Sequence, residues 1–267
     1  MESAQVLATA DDFTTATTDV MIGFEKAMDK LRSKIGDIEY EKRLACSSAA
    51  GGLQMIACGL VPALTAKAAK LAAFGAGAKV IKTYAYELTK GDIDEIDQKK
   101  PDILLLTGGT DGGNREVIEH NAKMLATSKS AYPIVYAGNR ASEDICRELL
   151  QSDLHPVFTT ENVMPVLNKL NILPAQGIIR QIFLEKIISG KGLSKEKGLI
   201  EGIIMPTPAA VLTALTLLSD GTDQKRGIGE LVAVDLGGAT TDVYSIGKGL
   251  PHNPSTVLHG LREPYAK

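Results

Sequence analysis

Between the apolar run Leu231–Val234 and the run Val243-Tyr244-Ser245-Ile246 the chain reads Asp235-Leu236-Gly237-Gly238-Ala239-Thr240-Thr241-Asp242. A carboxylate, a glycine pair and two hydroxyls in that order suit phosphate chemistry. Gly237 and Gly238 let backbone N–H groups approach an anion with no Cβ in the way. Thr240 and Thr241 add hydroxyl donors, and Asp242 begins the return strand. Asp235 is placed to hold a hydrated Mg²⁺ or to orient a water beside the phosphate, which makes it the candidate for both the metal and the catalytic role. The alternative is a plain hairpin whose glycines only make the turn. A bare Gly-Gly would not separate the two readings; the full string between two apolar strands is far more specific.

A second glycine-rich segment, Thr107-Gly108-Gly109-Thr110-Asp111-Gly112-Gly113-Asn114, follows the apolar run ILLL and precedes a helix that should start near Asn114 or Arg115. Open α/β sheets bind ligands at the carboxyl ends of their strands, and a helix N-terminus favours anions. Gly108, Gly109 and Thr110 are therefore candidate phosphate or nucleotide contacts. The competing reading is a loop of small residues that lets the next helix pack. Arg140, after the strand PIVYAG, could meet phosphate or carboxylate, or simply be a solvated residue at a helix start. Asn162, after HPVFTT, reads as a helix N-cap.

Other patterns fail on spacing. Gly75-Ala76-Gly77 lacks the third glycine of a dinucleotide fingerprint, and Gly190-Lys191-Gly192 lacks the spacing of a phosphate loop. Asp153-Leu154-His155 has Phe158 where the cobalamin-ligating signature needs glycine, so His155 is not expected to bind cobalt. Cys46, Cys58 and Cys146 fit no zinc or Cys-x-x-Cys pattern and read as reduced thiols.

The elements around these residues alternate. A helix is expected over Asp19 to Ile35, with Phe24, Met28, Leu31 and Ile35 on one face and Gly36 to end it. Two β-prone runs flank Gly51-Gly52 and suggest a hairpin. Beyond them strands and helices alternate: LTAKAAKLAA helical, KVIKTYAYEL a strand, GDIDEIDQKK a helix, PDILLL a strand, and so on to the helix PTPAAVLTALTLLSD. Such alternation indicates a parallel or mixed sheet with helical cover on both faces. The polar stretch Gly221 to Gly229 is the expected boundary between a first α/β domain, 1–222, and the start of a second domain, 230–267, which carries the hairpin.

Bulk properties narrow the class further. A net charge of −3 with no Trp and few aromatics argues against a nucleic-acid partner. The N-terminus has no signal-peptide pattern, and no apolar run reaches the roughly 18 residues that cross a bilayer. The expectation is a cytoplasmic protein with no membrane partner.

The hairpin string resembles the second phosphate motif of the acetate and sugar kinase, heat-shock chaperone and actin superfamily. More narrowly, the ordered blocks DVMIGFEKAM, CSSAAGGLQM, LLLTGGTDGGN, VYAGN, IIRQIFLEKI, MPTPAAVLTA and VAVDLGGATTDVYSI are similar to the accessory proteins of adenosylcobalamin-dependent glutamate (methylaspartate) mutases. That resemblance covers nearly the whole chain. It implies an actin-like, ribonuclease H-like ATPase fold, with ATP and Mg²⁺ in a cleft between two domains and mutase subunits as partners. Two departures matter. No Asp-x-Gly-Ser/Thr phosphate hairpin precedes Asp19, and little chain follows Ile246 to contact adenosine. The resemblance therefore implies a portion of a longer protein, an ATPase in that longer form and not active alone. Two other readings stand beside it: a small-molecule kinase or amidohydrolase of the same fold, and a binding module without catalysis.

Overall fold

The computed structural model describes residues 5–15, 18–42, 44–47, 53–74, 76–190, 203–237, 241–250, 253, 255–256 and 265–266. The chain divides into two compact units: Met1–Cys46 with Leu184–Ile204, and Ser47–Phe183 with Met205–Lys267. Gly221 to Gly229 is the boundary expected from sequence. It lies within the second unit, where it holds a short ribbon.

The first unit contains helix α1, Val20–Ile35. Asp19 caps it by accepting a hydrogen bond from the Met21 N–H at 2.9 Å, and Gly36, at φ 76°, ends it. The preceding extended segment lies along this helix. The Thr15 hydroxyl accepts from the Gly23 N–H at 3.0 Å, and Lys30 pairs with Asp12 at 2.9 Å.

The second unit is built on a five-stranded, all-parallel sheet. Beyond the short strand β1 (Ala45–Ser47) come β2 (Leu53–Gly59), α2 (Pro62–Ala73), β3 (Ala78–Ala85), α3 (Lys90–Lys99) and β4 (Ile103–Leu106). Then follow α4 (Glu116–Leu125), β5 (Ile134–Tyr136), α5 (Glu143–Leu150), β6 (Val157–Thr159) and α6 (Leu173–Gly190). The spatial order is β3-β2-β4-β5-β6. Counted within the sheet this is 2-1-3-4-5, the flavodoxin-like doubly wound order. The α/β expectation with helices on both faces holds in this form. An actin-like sheet is not what these five strands make, so that part of the expectation rests on the later hairpin alone.

Alternating residues of each strand feed two cores. Ile56, Cys58, Leu104, Leu106, Ile134 and Tyr136 face a cluster with Ile93, Ile96, Ile118, Leu125 and Cys146 of α3, α4 and α5. Met55, Ala57, Ile103, Leu105 and Val135 supply the other face. There α2 packs through Ala68, Ala69, Ala72 and Ala73, and Gln176 of α6 donates to the Leu71 and Phe74 carbonyls at 2.8 Å. Both faces are apolar because both are covered. Burial of Met55 to Gly59 on both faces removes the period of two from LQMIACG, so the hairpin expected there does not form. That run is an interior strand of the parallel sheet, paired to β3 and β4, and not to β1; Gly51 and Gly52 lie outside the described residues.

After β7 (Ile203–Pro206) and α7 (Thr207–Asp220), the ribbon β8–β9 (Gly221–Thr222, Lys225–Arg226) leads to the hairpin β10–β11 (Leu231–Leu236, Thr241–Ile246).

Candidate functional site

In a doubly wound sheet the crevice for ligands opens where the strand order reverses. Here that point lies between β2 and β4, at the segments Gly59-Leu60-Val61 and Thr107–Thr110. A cavity of about 90 Å³ sits there, with Leu60, Leu64, Thr65, Thr107, Gly109 and Met164 among its walls. The glycines of the loop are required by geometry. Gly108, Gly109 and Gly112 have φ of 135°, 72° and 74°. A Cβ on Gly109 would come within 2.3 Å of the Asn114 carbonyl oxygen. The sequence expectation that this loop stands at a strand's carboxyl end before a helix is met.

The loop is held from behind by a residue the sequence reading passed over. Asn139 is fully buried. Its Oδ1 accepts from the N–H groups of Gly112 and Ala141, each at 3.0 Å. Its Nδ2 donates to the carbonyls of Gly113 and Asn114 at 3.2 and 3.1 Å. Asn162 caps no helix. It donates to the Gly109 carbonyl at 3.0 Å and to Asp111 at 2.9 Å, and accepts from the Met164 N–H. Asp111 in turn accepts from the Arg140 N–H at 3.0 Å. Only the pattern strand-Gly-Asn in VYAGN hinted at Asn139, since burial of a polar side chain is a tertiary fact.

Charge at this sheet edge is uneven. Helix α3 begins with a capping box in which Thr89 and Asp92 satisfy each other's backbone, α4 carries Glu116 and Glu119 in its first turn, and α5 carries Glu143 and Asp144. The Ser142 hydroxyl and Arg115 hold the Glu119 carboxyl below its usual range. These acids occupy helix ends that would otherwise attract an anion. The amino end of α2, beside the cavity, has neither an acid in its first turn nor a side-chain cap. Arg140 opens instead onto a neighbouring polar cleft of about 480 Å³, where Asp111, Glu143 and Glu161 accompany it.

The hairpin is a separate site. Its register places Asp235 directly opposite Asp242, Ala233 opposite Tyr244 and Leu236 opposite Thr241. Like charges facing each other across a two-stranded ladder are unfavourable unless something between them compensates. Gly237 follows β10 at the turn; Gly238 and Thr240 lie outside the described residues. Tyr244 is fully buried, with its ring 6.3 Å from that of Phe74. Burial, with the nearby Asp242 and Asp235 charges, pushes its hydroxyl up to about 12. Phe74 closes the far end of α2, about 9 Å along that helix from Ala68, the last α2 residue in the cavity wall. The structure thus separates the two groups of phosphate candidates: Asp235, Gly237, Thr241 and Asp242 on the hairpin, and Gly108, Gly109 and Thr110 at the opposite end of α2.

His155 is 2% exposed, stacks on Tyr132 with ring centroids 4.7 Å apart, and bonds the Ser130 carbonyl through Nε2 at 3.0 Å. It is a core histidine. Among the described residues no group of three or more His, Cys, Asp or Glu side chains could hold a metal ion, and no helix is long and apolar enough to cross a membrane.

Comparison with known proteins gives concordant matches. A family model described as "MutL protein" matches residues 1–267. The curated "Protein MutL" of Clostridium tetanomorphum is 53% identical over 271 residues, covering 100% of this chain and 58% of the relative. The chain therefore spans rather more than half the length of that relative.

Proposed function

The chain belongs to the MutL protein family, and from that premise we propose that it is part of an accessory factor for an adenosylcobalamin-dependent glutamate (methylaspartate) mutase. In this reading the hairpin β10–β11 is the phosphate side of a nucleotide site. The observation that carries it is the register of Asp235 against Asp242 at the mouth of a Gly-Gly-x-Thr-Thr turn. The donor set fits Mg²⁺, which takes one or two carboxylates and leaves its other positions to water and phosphate oxygens. Asp235 and Asp242 would hold the ion, which supplies neutralisation of phosphate charge. Gly237 and Gly238 would offer backbone N–H groups to the phosphate, and Thr240 and Thr241 their hydroxyls.

The function follows from differential binding. A nucleotide alters the factor's grip on a partner only as far as it binds one conformation better than another. With the fold of the wider superfamily, closure of two domains on ATP would be that difference, and release of mutase subunits its readout.

The test uses the longer protein with Mg-ATP and purified mutase subunits. Calorimetry should show ATP binding that falls at least tenfold in Asp235→Ala, and co-sedimentation with the mutase should change on adding ATP. ATP affinity unchanged by Asp235→Ala would remove the hairpin from the site. ATP turnover with a small-molecule acceptor and no protein partner would point to a kinase or amidohydrolase instead.

A further inference from the structure

A further strand begins beside the hairpin β10–β11. Ala266 pairs with Ile246 in an antiparallel bridge, and the Gly247 N–H donates to the Tyr265 carbonyl at 2.8 Å. The contact is anchored by a side chain. The Tyr265 hydroxyl donates to Asp220 Oδ1 at 2.7 Å and lies 3.2 Å from Ser219 Oγ, both at the carboxyl end of α7.

Backbone direction fixes which edge of β11 is involved. The Lys248 N–H turns toward β10, where Glu230 Oε1 accepts it at 3.0 Å, and the Gly247 N–H turns the other way. N–H groups alternate sides along an antiparallel strand, so those of Ser245 and Val243 point with that of Gly247, away from β10. Among the described residues β11 has no strand on this side beyond the bridge to Ala266. Side chains give β11 an interior character as well. In this register Val232, Val234, Leu236 and Val243 share one face and are exposed, while Tyr244 and Ile246 on the other face are buried. Strands apolar on both faces belong inside a covered sheet, and a two-stranded ribbon is marginal by itself in water. The family's longer chain has the length to supply more strands, since these residues cover 58% of the Clostridium tetanomorphum relative.

We propose that in the longer protein the chain continues from Ala266 as a third strand along β11, antiparallel to it, so that β11 becomes an interior strand. The occupant of this edge is the protein's own following segment, not a second copy. In the register set by Ala266 and Ile246, the second residue after Ala266 faces Tyr244 and the fourth faces Asp242. The third strand thus runs back toward the turn before Thr241 and steadies the strand that carries Asp242.

Amide hydrogen exchange without nucleotide, on the 267-residue chain and on the longer protein, tests this. In the shorter chain the Val243 and Ser245 amides should exchange at least tenfold faster than those of Asp242 and Tyr244, which face β10. In the longer protein all four should be protected alike. Proline is tolerated where a strand's N–H faces solvent and not where it must donate. Val243→Pro should therefore lower the thermal midpoint about 2–4 °C further in the longer protein than in the shorter chain, the loss of one ladder hydrogen bond. Val243→Ala, which keeps the N–H, measures the side chain's share to be subtracted. If the shorter chain does not fold, exchange in the longer protein alone decides. Fast exchange of Val243 and Ser245 in the longer protein, or a proline effect no larger there, would overturn the proposal. Protection that appears only as the longer protein is concentrated would assign the edge to a second copy and overturn it too. ATP is absent throughout, so this result is separate from that of the nucleotide test.

Discussion

At the scale of single residues the molecule's economy is clearest in Asn139. One side chain spends all its hydrogen-bonding capacity, two acceptances and two donations, on the backbone of the glycine-rich loop and the turn that follows β5. Truncation leaves several buried backbone groups unsatisfied, so Asn139→Ala should cost about 2–4 kcal/mol by urea denaturation. Asn139→Asp, which replaces two donors with an acceptor, should be no better. His155 predicts a pH effect. Burial lowers its folded pKa, against a smaller raising contribution from the Ser130 carbonyl and Asp97. Below the unfolded value of about 6.5 the denatured chain takes up a proton that the folded chain resists. The stabilising effect is therefore complete above that pH and is lost as pH falls toward the folded value. The urea midpoint should drop between pH 7.5 and pH 5, and His155→Gln should flatten that slope; equal slopes would refute the account. Neither role is legible in sequence, because burial of a polar side chain depends on which elements pack around it.

At the scale of elements, sequence reading worked where periodicity or caps are local. Helix α1 has the cap and stop that Asp19 and Gly36 promise, and α3, β3 and β4 fall where alternation and apolar runs place them. It failed at β2, because a strand buried on both faces has no period of two to read, and a nearby Gly-Gly invited a hairpin. Loop glycines divide in the same way. Gly77 and Gly112 both have positive φ, 87° and 74°. A Cβ on Gly77 would meet the Phe183 ring at 2.3 Å, whereas one on Gly112 meets nothing within 4 Å. Gly77→Ala should then add a clash in the α6 contact to the backbone strain and cost about 2–4 kcal/mol. Gly112→Ala should cost only the strain, about 1–2 kcal/mol. Similar losses in the two variants would show that Phe183 can move aside, and that α6 is held on the sheet chiefly by other contacts.

At the scale of the whole molecule, the hairpin and the glycine-rich loop are both legible in sequence as elements, but their separation along α2 is not. Which strands neighbour which is decided by packing that no short string of residues encodes. The exposure of the hairpin has a further consequence. Val232, Val234, Leu236 and Val243 are 72%, 64%, 79% and 61% exposed, and among the described residues β10 pairs only with β11. Proteins blunt such an edge with charged residues, proline or a bulge, and Asp235, near its end, is the one charge in β10. In concentrated solution this strand is where one copy would begin to add to another, so the chain's shelf life should be limited by self-association rather than by unfolding. Light scattering on stored samples should grow with protein concentration well below the thermal midpoint, and Val234→Lys should suppress it without moving that midpoint. Whoever purifies this chain would then find its solubility governed by one face of a six-residue strand.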